Sequence, residues 1–159
     1  MHINLSSEAF THNAPIPRRY SGEGADVSPP LAWSGVPKAA KELVLICEDP
    51  DAPRLEPFTH WVIYGISPKA ECLPEGIQSE LQLQIPPGAM QGRNSFDRIG
   101  YNGPLPPKGH GVHHYHFMLF ALNTRIDLPG GLEKSKLLAA VRKHIIDSGE
   151  LVGTYSPDQ

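Results

Sequence analysis

The sequence predicts a mainly β chain: a two-sheet antiparallel β-sandwich of Greek-key type with one C-terminal helix packed on it. Three observations predict this. Seventeen prolines and fifteen glycines are spread along 159 residues rather than pooled in a linker, which suits turns and strand edges. Several short runs are apolar or alternating with period two, as strands are. One stretch near the end changes to a period of three and four, as a helix face does.

Taken in order, His2-Ile3-Asn4-Leu5 alternates and reads as a short first strand. Residues 15–30 carry Pro-x-Pro, Gly-x-Gly and Ser-Pro-Pro signals and read as irregular chain. Leu31-Ala32-Trp33 is a short apolar piece ended by Ser34-Gly35. Glu42 to Glu48 is the clearest strand, and its nearly unbroken apolar run predicts cover on both faces. His60 to Ile66 reads as a second core strand, and Tyr115 to Leu122 as a third. Leu81-Gln82-Leu83-Gln84-Ile85 alternates strictly before Pro86-Pro87, predicting a strand with one wet face. The helix is expected over residues 133–146, with Leu137, Leu138, Val141 and Ile145 on its buried face and Ser148-Gly149 as its stop. Glu133 in its first turn and Arg142, Lys143 and His144 in its last suit the helix dipole. Residues 151–155 read as a final strand.

Length and the lack of a composition break imply a single domain over residues 1–159. A net charge of −3 supplies no basic stripe, so nucleic acid is not an expected partner. Two cysteines, Cys47 and Cys72, are too few for a disulfide framework, and Cys47 lies in an apolar run as a buried hydrophobe would. No signal-peptide pattern and no apolar run near ~18 residues occurs, which reads as a cytoplasmic protein with no integral membrane segment.

The chemistry gathers at strand ends. Asp49, in Asp49-Pro50-Asp51-Ala52-Pro53, ends one core strand; His60 opens another; His113 and Tyr115 open the third. If these strands are neighbours, the four side chains meet at one rim. Alternation puts His113 and Tyr115 on one face, with His114 and His116 on the other. A carboxylate, imidazoles and a phenol held by proline-rich chain suit an anion-sized ligand. Asp49 would hydrogen-bond or charge the imidazoles, His60 and His113 would present N–H groups, and Tyr115 would add an O–H. With imidazole near its ordinary pKa of ~6.5, anion affinity is expected to rise from about pH 8 to about pH 6. His114-x-His116 has a strand-borne zinc spacing, yet that face offers no third ligand, so neither metal nor cofactor is expected. Gly22-x-Gly24 follows no core strand and is not a dinucleotide fingerprint.

The Asp-Pro-Asp-Ala-Pro run, the downstream His60-Trp61, and Tyr101-Asn102-Gly103-Pro104 through Pro106-Pro107, Gly109-His110-Gly111 and His113 to Tyr115 together resemble the phosphatidylethanolamine-binding protein family, also called Raf kinase inhibitor-like proteins, in its short prokaryotic branch. The similarity extends to residues 27–33, Gly92-Arg93-Asn94-Ser95-Phe96 and Gly153-Thr154-Tyr155. The resemblance implies a sandwich with a small pocket for phosphate, phosphoryl head groups or acetate-like anions, made by Asp49, His60, His113 and Tyr115, with Ala52, Pro53, Gly103 and Pro106 lining its mouth. It implies a homodimer, and regulation of a protein kinase or protease as in some relatives. His114 stands where the family usually has an arginine, whose expected partner is Asp51. Ser21-Gly22-Glu23 replaces a cysteine-aspartate-glycine run of many relatives. The expected function is therefore a non-enzymatic anion-binding module. The alternatives are a hydrolase or transferase with an Asp49/His60/His113 acid–base site, and an interaction protein with a vestigial pocket. No Gly-x-Ser-x-Gly elbow or other convincing nucleophile supports the enzyme.

Overall fold

A computed structural model describes residues 2–157, which form nine strands and one α-helix. The small sheet has the order β1-β3-β6, from β1 (Asn4–Ser6), β3 (Leu31–Ser34) and β6 (Cys72–Leu73). The large sheet has the order β2-β9-β8-β4-β5-β7, from β2 (Ala14–Pro15), β9 (Ile145–Tyr155), β8 (His113–Leu122), β4 (Glu42–Asp49), β5 (Phe58–Ile66) and β7 (Met90–Gln91). The pairing is antiparallel except between β2 and β9, which run parallel, so the large sheet is mixed rather than purely antiparallel. Among the described residues no helix is long and apolar enough to cross a membrane.

The unbroken apolar run of β4 has a two-sided cause. Leu43, Leu45 and Cys47 face the small sheet, in one core with Trp61, Ile63, Phe117 and Leu119. Val44 and Ile46 face the other way, in a second core with Val62, Tyr64 and two residues of α1 (Lys134–Val141), Leu137 and Val141. Each fully buried side chain of this size contributes on the order of 2 kcal/mol. The exposed ion pairs contribute about 0–1 kcal/mol each, so the two apolar layers hold the sandwich together.

Two sequence expectations are corrected. Residues 81–85 do not form a strand. Gln82 makes one isolated bridge to Met90, and Leu81 and Ile85 point outward, 52% and 65% exposed. Two backbone bonds flank that bridge, Leu83 N–H to the Ala89 carbonyl and Gln91 N–H to the Leu81 carbonyl, and the Gln91 side-chain amide donates to the carbonyls of Gln78 and Glu80 just before it. The helix is also shorter than its period predicts. It ends at Val141, a 3-10 turn follows over Arg142–His144, and the chain becomes strand from Ile145. Ser148-Gly149 is no helix stop, because Ser148 pairs with Phe120 and Gly149 with Leu119 inside the sheet. Pairing along ten residues of β8 outweighs the helical period of four side chains.

Candidate functional site

The site lies where β4 ends and β8 begins, on the sheet face turned toward the core. Asp49 is the last residue of β4 and is buried. Its Oδ1 accepts the Asp51 backbone N–H at 2.8 Å, the local turn that Asp-Pro favours. Its Oδ2 accepts the Nδ1–H of His113 at 2.7 Å, with both side chains about 4% exposed. His113 and Tyr115 share the inner face of β8, while His114 and His116 face outward, as alternation predicts.

His60 reaches the same face by a different device. Cys47 pairs with Trp61 but Glu48 pairs with Thr59, so His60 is the extra residue of a β-bulge. Strict alternation would set His60 opposite Trp61. The bulge instead turns its ring among Phe58, Phe96 and Tyr115, at 5.1, 5.7 and 5.1 Å between ring centres. Its Nδ1 lies 2.7 Å from the Asn102 carbonyl oxygen, and Asn102 N–H donates back to the His60 carbonyl at 3.2 Å. Asn102 is itself held by Asn94 and by Asp26, whose carboxylate also accepts the Gly103 N–H.

These groups border a cavity of about 470 Å³. Of the residues singled out from the sequence, Asp49, Ala52, Pro53, His60, Pro106, His113 and Tyr115 line it. Gly103 does not, which corrects its placement at the mouth. It packs behind the wall, where a Cβ would come within 1.9 Å of the Tyr20 carbonyl oxygen. Sequence reasoning missed Arg54, Phe58, Phe96, Leu105 and Pro107 on the wall. Phe96 was in view as part of Gly92-Arg93-Asn94-Ser95-Phe96, but nothing local tied that segment to the strand ends. Arg54 lies over the Phe58 ring at 5.3 Å and brings a permanent cation to the mouth.

Electrostatics assign roles. Burial pushes the His60 pKa down, against the opposing pull of the Asn102 carbonyl and the Asp49 and Asp26 charges. His60 is therefore a neutral ring whose proton sits on Nδ1, since a carbonyl can only accept. The expectation that His60 presents an N–H to a ligand is corrected by this bond: the nitrogen left over is an acceptor. Burial, followed by the Asp49 charge, pushes the Tyr115 phenol well up, so it keeps its O–H as a donor. Burial likewise pushes the Cys47 thiol far up, and it lies in the core as an inert group.

Because the depressed pKa of His60 leaves it neutral when folded, stability should be fully present above its unfolded value of ~6.5 and fall as pH drops through the lower folded value. Glu42, buried with a raised pKa, acts in the opposite sense as pH rises. Urea denaturation at pH 5 and pH 7.5 should show a smaller acid loss in His60→Phe than in wild type. Equal losses would remove His60 as the cause.

A family model described as phosphatidylethanolamine-binding protein matches residues 6–156. The chain belongs to this family. A UPF0098 protein of Pyrococcus abyssi is 50% identical over 149 residues, covering 94% of this chain and 83% of the relative. The crystal structure of a phosphatidylethanolamine-binding protein homologue, CT736 of Chlamydia trachomatis, superimposes with a TM-score of 0.88 at 42% identity, covering 99% of both chains. Escherichia coli YbcL superimposes with a TM-score of 0.90 at 29% identity, covering 98% of this chain and 99% of its own.

Two departures from the family pattern acquire structural content. His114, in place of the usual arginine, sets its Nδ1 2.8 Å from Asp51 Oδ2, and its backbone N–H donates to the same oxygen at 2.7 Å. Burial raises the Asp51 carboxyl, but these two bonds with the His114 charge outweigh it and hold the pKa below the ordinary value. In the Ser21-Gly22-Glu23 run, Ser21 and Glu23 both hydrogen-bond the Tyr155 hydroxyl. On the outer face His116 pairs with Glu150 at 3.1 Å, and among the described residues no group of three or more His, Cys, Asp or Glu could hold a metal ion.

Proposed function

We propose that the protein is a non-enzymatic binding module whose cavity holds phosphate or another small oxyanion group. The observation that carries this reading is the buried Asp49–His113 pair opening on the cavity beside the Tyr115 hydroxyl. Asp49 accepts the Nδ1–H of His113 and so fixes the orientation of that ring at the cavity wall. Tyr115 supplies a neutral donor and Arg54 a permanent charge at the mouth. The phenyl rings of Phe58 and Phe96 lower the local dielectric, which strengthens each of these contacts.

No serine, threonine or cysteine lies among the cavity-lining residues, so the hydrolase alternative would have to activate water through Asp49, His60 and His113 rather than use a covalent nucleophile. Titration calorimetry with inorganic phosphate is expected to give saturable binding that Tyr115→Phe weakens about tenfold, the loss of one hydrogen bond to a charged group. Unchanged affinity in that variant would remove Tyr115 from the site. Turnover of a phosphomonoester that Asp49→Ala abolishes would replace the binding module with the hydrolase.

A further inference from the structure

We propose a second binding site, separate from the cavity of Asp49 and His113, that takes a small zwitterion, a free α-amino acid. It does not rest on the anion-binding reading above. The site is a cavity of about 250 Å³ bordered by Thr59 near the start of β5, the turn at residues 94–97 and the N-terminus of α1. That volume lies below the range of about 300–1,000 Å³ that drug-sized ligands need, so it suits a small molecule. Thr59 is 5% exposed, and its backbone is pinned on both sides. Its N–H donates to Ser95 Oγ and its carbonyl accepts the Ser95 N–H, each at 2.8 Å. Its hydroxyl has no partner among the described residues. Every fully enclosed side-chain polar atom among those residues does have one, so this hydroxyl opens into the cavity that it lines. A hydroxyl on so buried a residue, with nothing in the protein to bond, is available to a ligand.

The start of α1 brings more donors to the same wall. Glu133 occupies the N-cap position, but its side chain makes no capping bond. Among the described residues the first α1 N–H with a partner is that of Leu137, bonded to the Glu133 carbonyl. The N–H groups of Lys134 and Ser135, both at the cavity wall, therefore stay open. A carboxylate is an acceptor that a helix start favours. The charges on the wall disfavour a plain anion, however. Arg93 is taken by Asp97 at 3.2 Å and Lys134 by Glu48 at 3.4 Å. Arg54, Glu56 and Glu133 have no ion-pair partner among the described residues, which leaves one cation against two carboxylates. A bare anion would be repelled by the two carboxylates, and a bare cation would leave the Thr59 hydroxyl and the α1 N–H groups unused. A ligand with one carboxylate and one ammonium satisfies both sets. Its carboxylate accepts from Thr59 and the α1 N–H groups, and its ammonium donates to Glu56 and Glu133.

Titration of the full chain with L-alanine, propionate and ethylamine at about pH 7, followed by amide chemical shifts, tests this. L-Alanine should shift the amides of Thr59, Ser95 and Ser135. Propionate and ethylamine each keep one charged half of that molecule and should bind at least tenfold more weakly. Thr59→Val keeps the shape of the side chain without its hydroxyl and should weaken L-alanine about tenfold, the loss of one hydrogen bond to a charged group. Glu133→Gln should weaken L-alanine but not propionate. Propionate or ethylamine binding wild type as tightly as L-alanine would overturn the proposal. Shifts confined to Asp49, His113 and Tyr115 would place the ligand in the other cavity and overturn it as well. Unchanged L-alanine affinity in Thr59→Val, or no shift with any of the three probes, would do the same. The wild-type panel decides the matter even if a variant does not fold.

Discussion

Asp49→Ala is expected to lower the unfolding free energy by about 3 kcal/mol and to abolish phosphate binding. Its carboxylate is 3% exposed and has two partners, the His113 ring and the Asp51 amide. Alanine leaves both donors without an acceptor inside the protein. Breaking a buried pair by removing one partner costs about 3–5 kcal/mol. The lower end applies because both side chains border the cavity rather than the closed core. For a chain of this length the change corresponds to a fall in Tm of roughly 6–12 °C. Asp49→Asn keeps one oxygen for the Asp51 N–H and should be milder, about 1 kcal/mol, while replacing the carboxylate that accepts the His113 Nδ1–H by an amide. The pair of variants separates two roles. Were Asp49 only the first residue of an Asp-Pro turn, alanine would cost less than 1 kcal/mol in urea denaturation and both variants would bind phosphate as wild type does.

The sequence was most legible where one local pattern had one cause. The continuous apolar run of β4 meant cover on both faces, and both layers are present. The alternation His113-His114-Tyr115-His116 sorted the four side chains by face correctly. Legibility failed where a distant partner decided. The stripe from Leu137 to Ile145 has helical spacing, yet Ile145 pairs with Leu122 and starts the longest strand. Leu81 to Ile85 alternates as a strand does, but its pairing with residues 89–91 is limited to the Gln82–Met90 bridge and two flanking backbone bonds before the chain turns at Pro86-Pro87. His60 is the instructive case. Period-two alternation with Trp61 would turn it away from the cavity, and only the bulge opposite Cys47 and Glu48 brings it in. Its tautomer depends on a carbonyl 42 residues along the chain, which no local signal announces. Arg54 and Phe58 were missed for the same reason: Arg54 is placed by the loop path after Asp49, and Phe58 by its pairing with Asp49 across β4 and β5.

Gly103→Ala is expected to be as damaging as Asp49→Ala, although Gly103 touches no ligand. A Cβ there would stand 1.9 Å from the Tyr20 carbonyl oxygen and 2.9 Å from the Tyr101 hydroxyl. Both neighbours are fixed, since Tyr101 Oη–H donates to that same carbonyl at 2.6 Å. The chain at 20–22 must therefore move, straining the Gly22 N–H bond to the Pro104 carbonyl, or residues 102–104 must move instead. Overpacking of this kind costs about 1–3 kcal/mol before any hydrogen bond is lost. Loss of the buried Tyr101 bond adds about 1 kcal/mol. If residues 102–104 yield, the Asn102 carbonyl leaves His60 Nδ1 and the ring loses its fixed tautomer. The variant should then be destabilised by about 3 kcal/mol and should also bind phosphate more weakly. If residues 20–22 yield, stability falls by a similar amount but the phosphate affinity survives. Calorimetry and urea denaturation on this one variant thus report which side of the contact is stiffer. A stability change below 1 kcal/mol would mean that the Tyr20–Gly103 contact is looser than 1.9 Å implies.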